Sequence, residues 1–153
     1  MKVIIASDHG GYKLKEELKK FLKDKKYEVV DYGTYSEEPV DYPDLAMLVA
    51  TTVAQNSGTC GIIIDGVGVA SAIVANKIPG IRAVPCYDSC TARISRLHNN
   101  SNILTLGGRI VGIELAKDIV EVWLNTPFEG GRHIRRLEKI AQIEKKFTKN
   151  AFY

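Results

Sequence analysis

The sequence predicts a three-layer α/β sandwich built around a five-stranded parallel sheet, and three observations carry that expectation. Short apolar runs alternate with stretches of helical periodicity along the chain. The run Gly61-Ile62-Ile63-Ile64 is apolar at successive positions, as expected of a strand with helices over both faces. Polar and glycine-rich turns follow several of the apolar runs, where a parallel sheet gathers its ligands.

Residues 2–6 form the first apolar run and end in Ser7-Asp8-His9-Gly10-Gly11, a loop. Leu14, Leu18, Phe21 and Leu22 then recur at i, i+4, i+7 and i+8 among lysines and glutamates, the pattern of an amphipathic helix. Residues 28–31 read as a second strand, and residues 42–55 carry Leu45, Leu48, Val49 and Val53 at helical spacing. The third strand, residues 61–64, runs into Asp65-Gly66-Val67-Gly68, after which residues 69–77 read as a short helix. Pro79-Gly80 turns the chain into a fourth strand at residues 81–84, followed by a helix at residues 89–96. Residues 103–106 make the fifth strand. Leu115, Ile119, Val122 and Trp123 mark a helix beyond Gly112, and residues 132–147 close the chain as a basic helix.

A chain of 153 residues fits a single domain, residues 1–153. With 45% apolar and 25% charged residues the composition is globular, and disorder is set aside except at the tail. A net charge of +3 is too small to imply a nucleic-acid partner. No apolar run approaches the roughly 20 residues of a membrane span. Cys60, Cys86 and Cys90 match no zinc or disulfide spacing and read as structural thiols of a reduced, cytoplasmic protein.

Four places could carry chemistry. Asp8-His9 sets an anion beside a potential acid or base just past a buried strand, although an aspartate there is often a helix cap. Asp65-Gly66-Val67-Gly68 is a turn whose backbone N–H groups can converge on a phosphate or a developing oxyanion. It lacks a third glycine and a Lys-Ser/Thr pair, so nucleotide binding is weakly indicated. His98-Asn99 falls between a helix and a strand, where helix-terminal polar residues are equally expected. Arg132 and Arg136 share one helical face and could clamp a phosphate, while a lone basic run is more often a solvated face.

Several segments occur together in a known order: Ser7-Asp8-His9-Gly10-Gly11, Val40-Asp41-Tyr42-Pro43-Asp44, Ala75-Asn76-Lys77 and Gly80-Ile81-Arg82-Ala83. His98-Asn99, Asn102-Ile103-Leu104, Gly107-Gly108-Arg109 and Phe128-Glu129-Gly130-Gly131-Arg132-His133 continue the series. Over nearly the whole chain this resembles the ribose-5-phosphate isomerase B family, which includes the two subunits of galactose-6-phosphate isomerase. The resemblance implies a Rossmann-like fold and a dimer, or two dimers paired as a tetramer, with sites shared between subunits. It implies a sugar phosphate as substrate and no metal or organic cofactor.

By the resemblance, Asp8, Tyr42 and the loop Gly66, Val67, Gly68, Val69 and Ala70 contact the sugar. His98 helps open the furanose ring, and Asn99 reaches the site from the neighbouring subunit. His9, Arg109, Arg132 and Arg136 surround the phosphate or the ring hydroxyls. The implied reaction moves a proton between C1 and C2 of the open sugar through a cis-enediolate, with ribose 5-phosphate and ribulose 5-phosphate as the expected pair. Most of the family takes that proton with a cysteine at the position of Asp65; some relatives use a glutamate where this chain has Ser71. Two readings follow. In one, Asp65 is itself the base, with partial burial raising its pKa. In the other, the chain acts like the aspartate-bearing one of the two galactose-6-phosphate isomerase chains, beside a paralogous, cysteine-bearing partner. The competing classes are a flavodoxin-like nucleotide module and a non-catalytic sugar-phosphate-binding subunit.

Overall fold

The computed structural model describes residues 1–148; the remainder of the tail, and with it part of the expected 1–153 domain, lies outside the described residues. Five strands, β1 (Lys2–Ser7), β2 (Glu28–Asp31), β3 (Thr59–Asp65), β4 (Ala83–Pro85) and β5 (Ile103–Gly107), form one parallel sheet in the order β2-β1-β3-β5-β4. The helices are α1 (Tyr12–Asp24), α2 (Tyr42–Gln55), α3 (Val69–Ala75), α4 (Ser89–Asn99), α5 (Ile113–Asn125) and α6 (Arg132–Thr148).

Side chains alternate along β3 and build a core on each face. Cys60, Ile62 and Ile64 pack with Leu14, Leu18 and Leu22 of α1 and with Ile119, Val120 and Trp123 of α5. Ile63 packs with Val49 and Ala50 of α2 and Ala72 and Ala75 of α3. Burying each such aliphatic side chain contributes about 1.5–3 kcal/mol, which explains the unbroken apolar run that marks β3 in the sequence. Strand order reverses between β1 and β3, whose register runs from Lys2 opposite Thr59 to Ser7 opposite Ile64. A crevice opens at such a switch point, and Asp8 and Asp65 stand at its mouth.

Several boundaries differ from the sequence expectation. β4 begins at Ala83, because Ile81 N–H closes a turn onto Ile78 O, and the side chains of Asn102 and Asn76 accept from the N–H groups of Arg82 and Ala83. α3 stops at Ala75, where Lys77 N–H bonds back to Val74 O in a tighter turn. α4 runs on through Asn99 and ends at Asn100, left-handed at φ 45°, so His98 and Asn99 lie in its last turn rather than beyond it.

The segment that carries Tyr42 is anchored by a buried lysine. Lys15 Nζ donates to both Asp31 carboxylate oxygens at 2.7 and 2.8 Å and to the Thr34 carbonyl at 2.7 Å. A buried ammonium that loses its partner costs several kcal/mol, so the chain leaving β2 is held firmly against α1. The far end of the molecule contrasts with this. Among the described residues of α6 only His133 is buried, while Ile134, Ile140, Ile143 and Phe147 remain exposed. No helix among the described residues is long and apolar enough to cross a membrane.

Candidate active site

The loop after β1 is folded by its own aspartate. Asp8 Oδ1 accepts from Gly11 N–H at 3.0 Å, and Asp8 N–H donates to Ile64 O on β3 at 3.1 Å. Gly11 is required here, since a Cβ would stand 2.3 Å from the Ile64 carbonyl oxygen. His9 Nδ1 accepts from Val40 N–H at 3.4 Å, which leaves the proton of the neutral ring on Nε2. Arg109 N–H donates to Gly66 O at 3.0 Å. The point where a side chain on Gly10 would begin lies 3.3 Å from Asp8 Oδ1, 3.3 Å from Gly66 Cα and 3.4 Å from Arg109 Nε, so these groups converge. A cavity of about 350 Å³ opens beside them, lined by His9, Gly10, Lys13, Glu37, Gly108 and Arg109.

Asp65, at the end of β3, turns toward its own loop. Oδ1 accepts from Val67 N–H at 2.9 Å and Gly68 N–H at 2.5 Å, and Oδ2 accepts from Ser71 N–H at 2.8 Å. Burial by itself pushes the carboxyl up, but hydrogen bonds from Ser71, Gly68 and Val67 outweigh it and hold Asp65 below the ordinary carboxylate value of 3.8. The expectation that burial raises this pKa is therefore corrected: the Ser71 side chain and the amides of Ser71, Gly68 and Val67 together stabilise the anion more than desolvation penalises it. A carboxylate has about four acceptor positions, so one on Oδ2 is not taken by an amide, and the Ser71 hydroxyl is the side chain placed to influence it.

The rest of the loop is equally fixed. Gly68 is left-handed at φ 83°, Thr105 Oγ1 donates to Gly68 O at 2.6 Å, and Tyr87 OH donates to Val67 O at 3.1 Å. Among the described residues no side chain accepts from Val69 or Ala70 N–H, and both amides open the first turn of α3. Val67 and Val69 are exposed, and Tyr42, at the start of α2, is 37% exposed. Ser71 Oγ is buried with no partner in good hydrogen-bond geometry, yet it lies near enough to Asp65 to help lower that carboxyl.

A second group forms where α4 meets α6. The rings of His98 and His133 stack with centroids 4.3 Å apart and planes 13° from parallel. Glu129 Oε2 lies 3.7 Å from Nε2 of each ring. Asn99 lines a larger groove of about 650 Å³ between α6 and β4, with Ile81, Val84, Ile140, Ile143 and Phe147. Arg132 and Arg136 stand on the first turns of α6, four residues apart, and the charge of Arg132 helps to repel a proton from His133.

The fold thus brings Asp8, His9, Asp65, the residue 66–70 loop and Arg109 to one end of the sheet. His98, Asn99, Arg132 and Arg136 form a separate group, and no hydrogen bond or ion pair among the described residues joins the two. Sequence reasoning missed Tyr87 and Thr105, which carry no motif, and it missed Glu129 and His133. The latter had a signal, since they lie four apart within the Glu129-Gly130-Gly131-Arg132-His133 segment. His98, Glu129 and His133 also form a cluster of metal-ligand type that the spacing along the chain did not suggest. Nearly parallel stacked rings are a poor fit to one ion, which must lie close to the plane of each imidazole that binds it.

Residues 3–140 match the Ribose/Galactose Isomerase family. The chain is 47% identical over 145 residues to ribose-5-phosphate isomerase B of Escherichia coli, covering 95% of this chain and 97% of that protein. It is 54% identical to the solved ribose-5-phosphate isomerase B of Clostridium thermocellum, with a TM-score of 0.94 over 96% of this chain and 99% of that one. The structure of the Mycoplasma genitalium ribose-5-phosphate isomerase B with bound ribulose-5-phosphate is 43% identical, with a TM-score of 0.91 over 94% of this chain and 96% of that one. With a five-stranded parallel sheet flanked by helices and an aspartate, a histidine and an arginine gathered at its switch point, the chain belongs to the ribose/galactose isomerase family.

Proposed function

We propose that this protein is an aldose–ketose isomerase that interconverts ribose 5-phosphate and ribulose 5-phosphate. The observation that carries the reading is the convergence of Asp8, Gly66 and Arg109 around Gly10, beside a cavity lined by His9 and Arg109, in a chain so similar to isomerases of this substrate. The relative that holds ribulose-5-phosphate supports a sugar phosphate as the ligand.

In this reading Asp65 is the proton acceptor, through the position on Oδ2 that no amide takes, and it transfers the proton between C2 and C1 of the open-chain sugar. Its low pKa keeps it ionised throughout the neutral range, at the cost of basicity. The Val69 and Ala70 amides donate to the enediolate oxygen as charge develops there. Asp8 and Tyr42 hold sugar hydroxyls, and His98 opens the ring. His9, Arg109, Arg132 and Arg136 bind the phosphate.

The two separated groups of residues favour a site completed by a second copy of the chain. The exposed Ile134, Ile140, Ile143 and Phe147 of α6, beside an apolar groove, offer a face for that copy. Asn99 and His98 of one protomer would then join Asp65 of its partner. Arg132→Ala and Arg136→Ala should each raise KM for ribose 5-phosphate at least about tenfold, since a charge-assisted contact contributes about 1.5–3 kcal/mol. Steady-state kinetics of the two variants check this, and unchanged KM in both would place the phosphate elsewhere.

The three amide bonds on Asp65 favour a second reading, in which its carboxylate only shapes the loop and a paralogous chain supplies the base. Turnover of ribose 5-phosphate by the purified protein alone separates the two. Activity without any other chain supports the first reading, and activity only after adding a cysteine-bearing paralogue supports the second.

A further inference from the structure

We propose that Glu129 and His133 are positioning residues that hold the His98 imidazole for ring opening, a role that rests on the part given to His98 above. His98 is partly exposed in the last turn of α4, where an unsupported side chain would sample several rotamers. The buried ring of His133 lies flat against it at 4.3 Å and leaves one orientation for the stacked face. Glu129 is delivered to the pair by its backbone, because Glu129 N–H donates to Leu97 O at 3.1 Å and so ties the segment before α6 to the end of α4. Gly130 and Gly131, at φ 73° and 54°, make the turn that brings His133 back under His98, and His133 N–H closes it onto Gly130 O at 3.0 Å.

The electrostatics divide the labour between the two rings. His133 Nε2 is buried without a hydrogen-bond partner. Desolvation, then His98 and Arg132, hold His133 below the ordinary histidine value of 6.5, against the pull of Glu129 and with a further push from Arg136. Protonation of His133 is therefore disfavoured, and the Glu129 carboxylate stands beside both rings. Opening the furanose removes the proton of the C1 hydroxyl, forms C1=O, breaks the bond from C1 to the ring oxygen and returns a proton to that oxygen. Nothing is oxidised or reduced, and one imidazole held in place can accept the first proton and deliver the second.

The substrates themselves separate positioning from general damage. Ribulose 5-phosphate cannot close a furanose, because its C5 oxygen carries the phosphate, so exchange of its C1 proton with deuterated water needs the enediolate step but no ring opening. Glu129→Gln and His133→Ala should each lower kcat for ribose 5-phosphate by on the order of tenfold to a hundredfold, the range over which misplacement of a catalytic group acts. Both should leave deuterium uptake by ribulose 5-phosphate within about twofold of wild type on the same scale. Glu129 is half exposed, so its variant keeps the test informative if His133→Ala folds poorly. Equal losses in both assays, or no loss in either, would overturn the positioning role. Wild-type protein inactive in both would instead remove the reading of His98 on which this one rests.

Discussion

Asp65→Asn is expected to lower kcat for ribose 5-phosphate by on the order of a hundredfold or more while the substrate still binds, the size of effect associated with loss of a general base. The amide keeps one oxygen for the loop and presents its nitrogen to donors that the carboxylate now satisfies, so some of the loss comes from a loosened loop. Asp65→Cys separates the two contributions, because it forfeits the amide bonds yet supplies a thiol, the base that the sequence resemblance implies at this position in most of the family. Recovery of a substantial part of the activity in Asp65→Cys, relative to Asp65→Asn, is the expected result; equal inactivity would favour a purely structural Asp65. The pH profile gives an independent check. Because the folded-state pKa is lowered from 3.8, Asp65 stays ionised above that value, and its own acid limb must fall below about pH 3.8. The stability that its amide bonds contribute is present above the unfolded value and is lost as pH falls through the lower folded one. An acid limb near neutral pH that disappears in Asp65→Cys would contradict this.

Inactive Asp65→Ala and inactive His98→Ala chains should regain activity when they are refolded together. If each site takes Asp65 from one chain and His98 from the other, half of the randomly paired dimers are hybrids with one intact site of two, which gives about a quarter of the wild-type rate. Activity measured against mixing ratio, with sedimentation to establish the dimer, checks this. A sedimenting monomer with full wild-type activity would contradict a shared site. So would a mixture that stays inactive although hybrids form.

The layer architecture was legible because its signals are local. Residues 61–64 are apolar throughout since β3 is covered on both faces, and the periodicity of residues 42–55 alone bounds α2. The placement of the candidate site was legible for a related reason, since Asp8 directly follows β1, Asp65 ends β3, and the strand order puts a crevice between them. The orientation of Asp65 was not legible. It depends on where the amides of residues 67, 68 and 71 point, which the left-handed Gly68 decides. His98 stands out in the sequence but its neighbours do not, because the stack with His133 forms only when α4 and α6 come together. The closing basic helix is legible as well. Its uncovered apolar residues are hidden among the lysines and arginines that dominate it.

The central claim is that this chain by itself moves a proton at C2 of a sugar phosphate. The most direct test is nuclear magnetic resonance of wild-type protein with ribose 5-phosphate in deuterated water, which reports both isomerisation and label at C2. Ribulose 5-phosphate should accumulate and the remaining ribose 5-phosphate should gain deuterium at C2, with both signals absent in Asp65→Asn. Protein that binds ribose 5-phosphate yet leaves C2 unlabelled and forms no ketose would contradict the claim, and would assign the proton transfer to a partner chain.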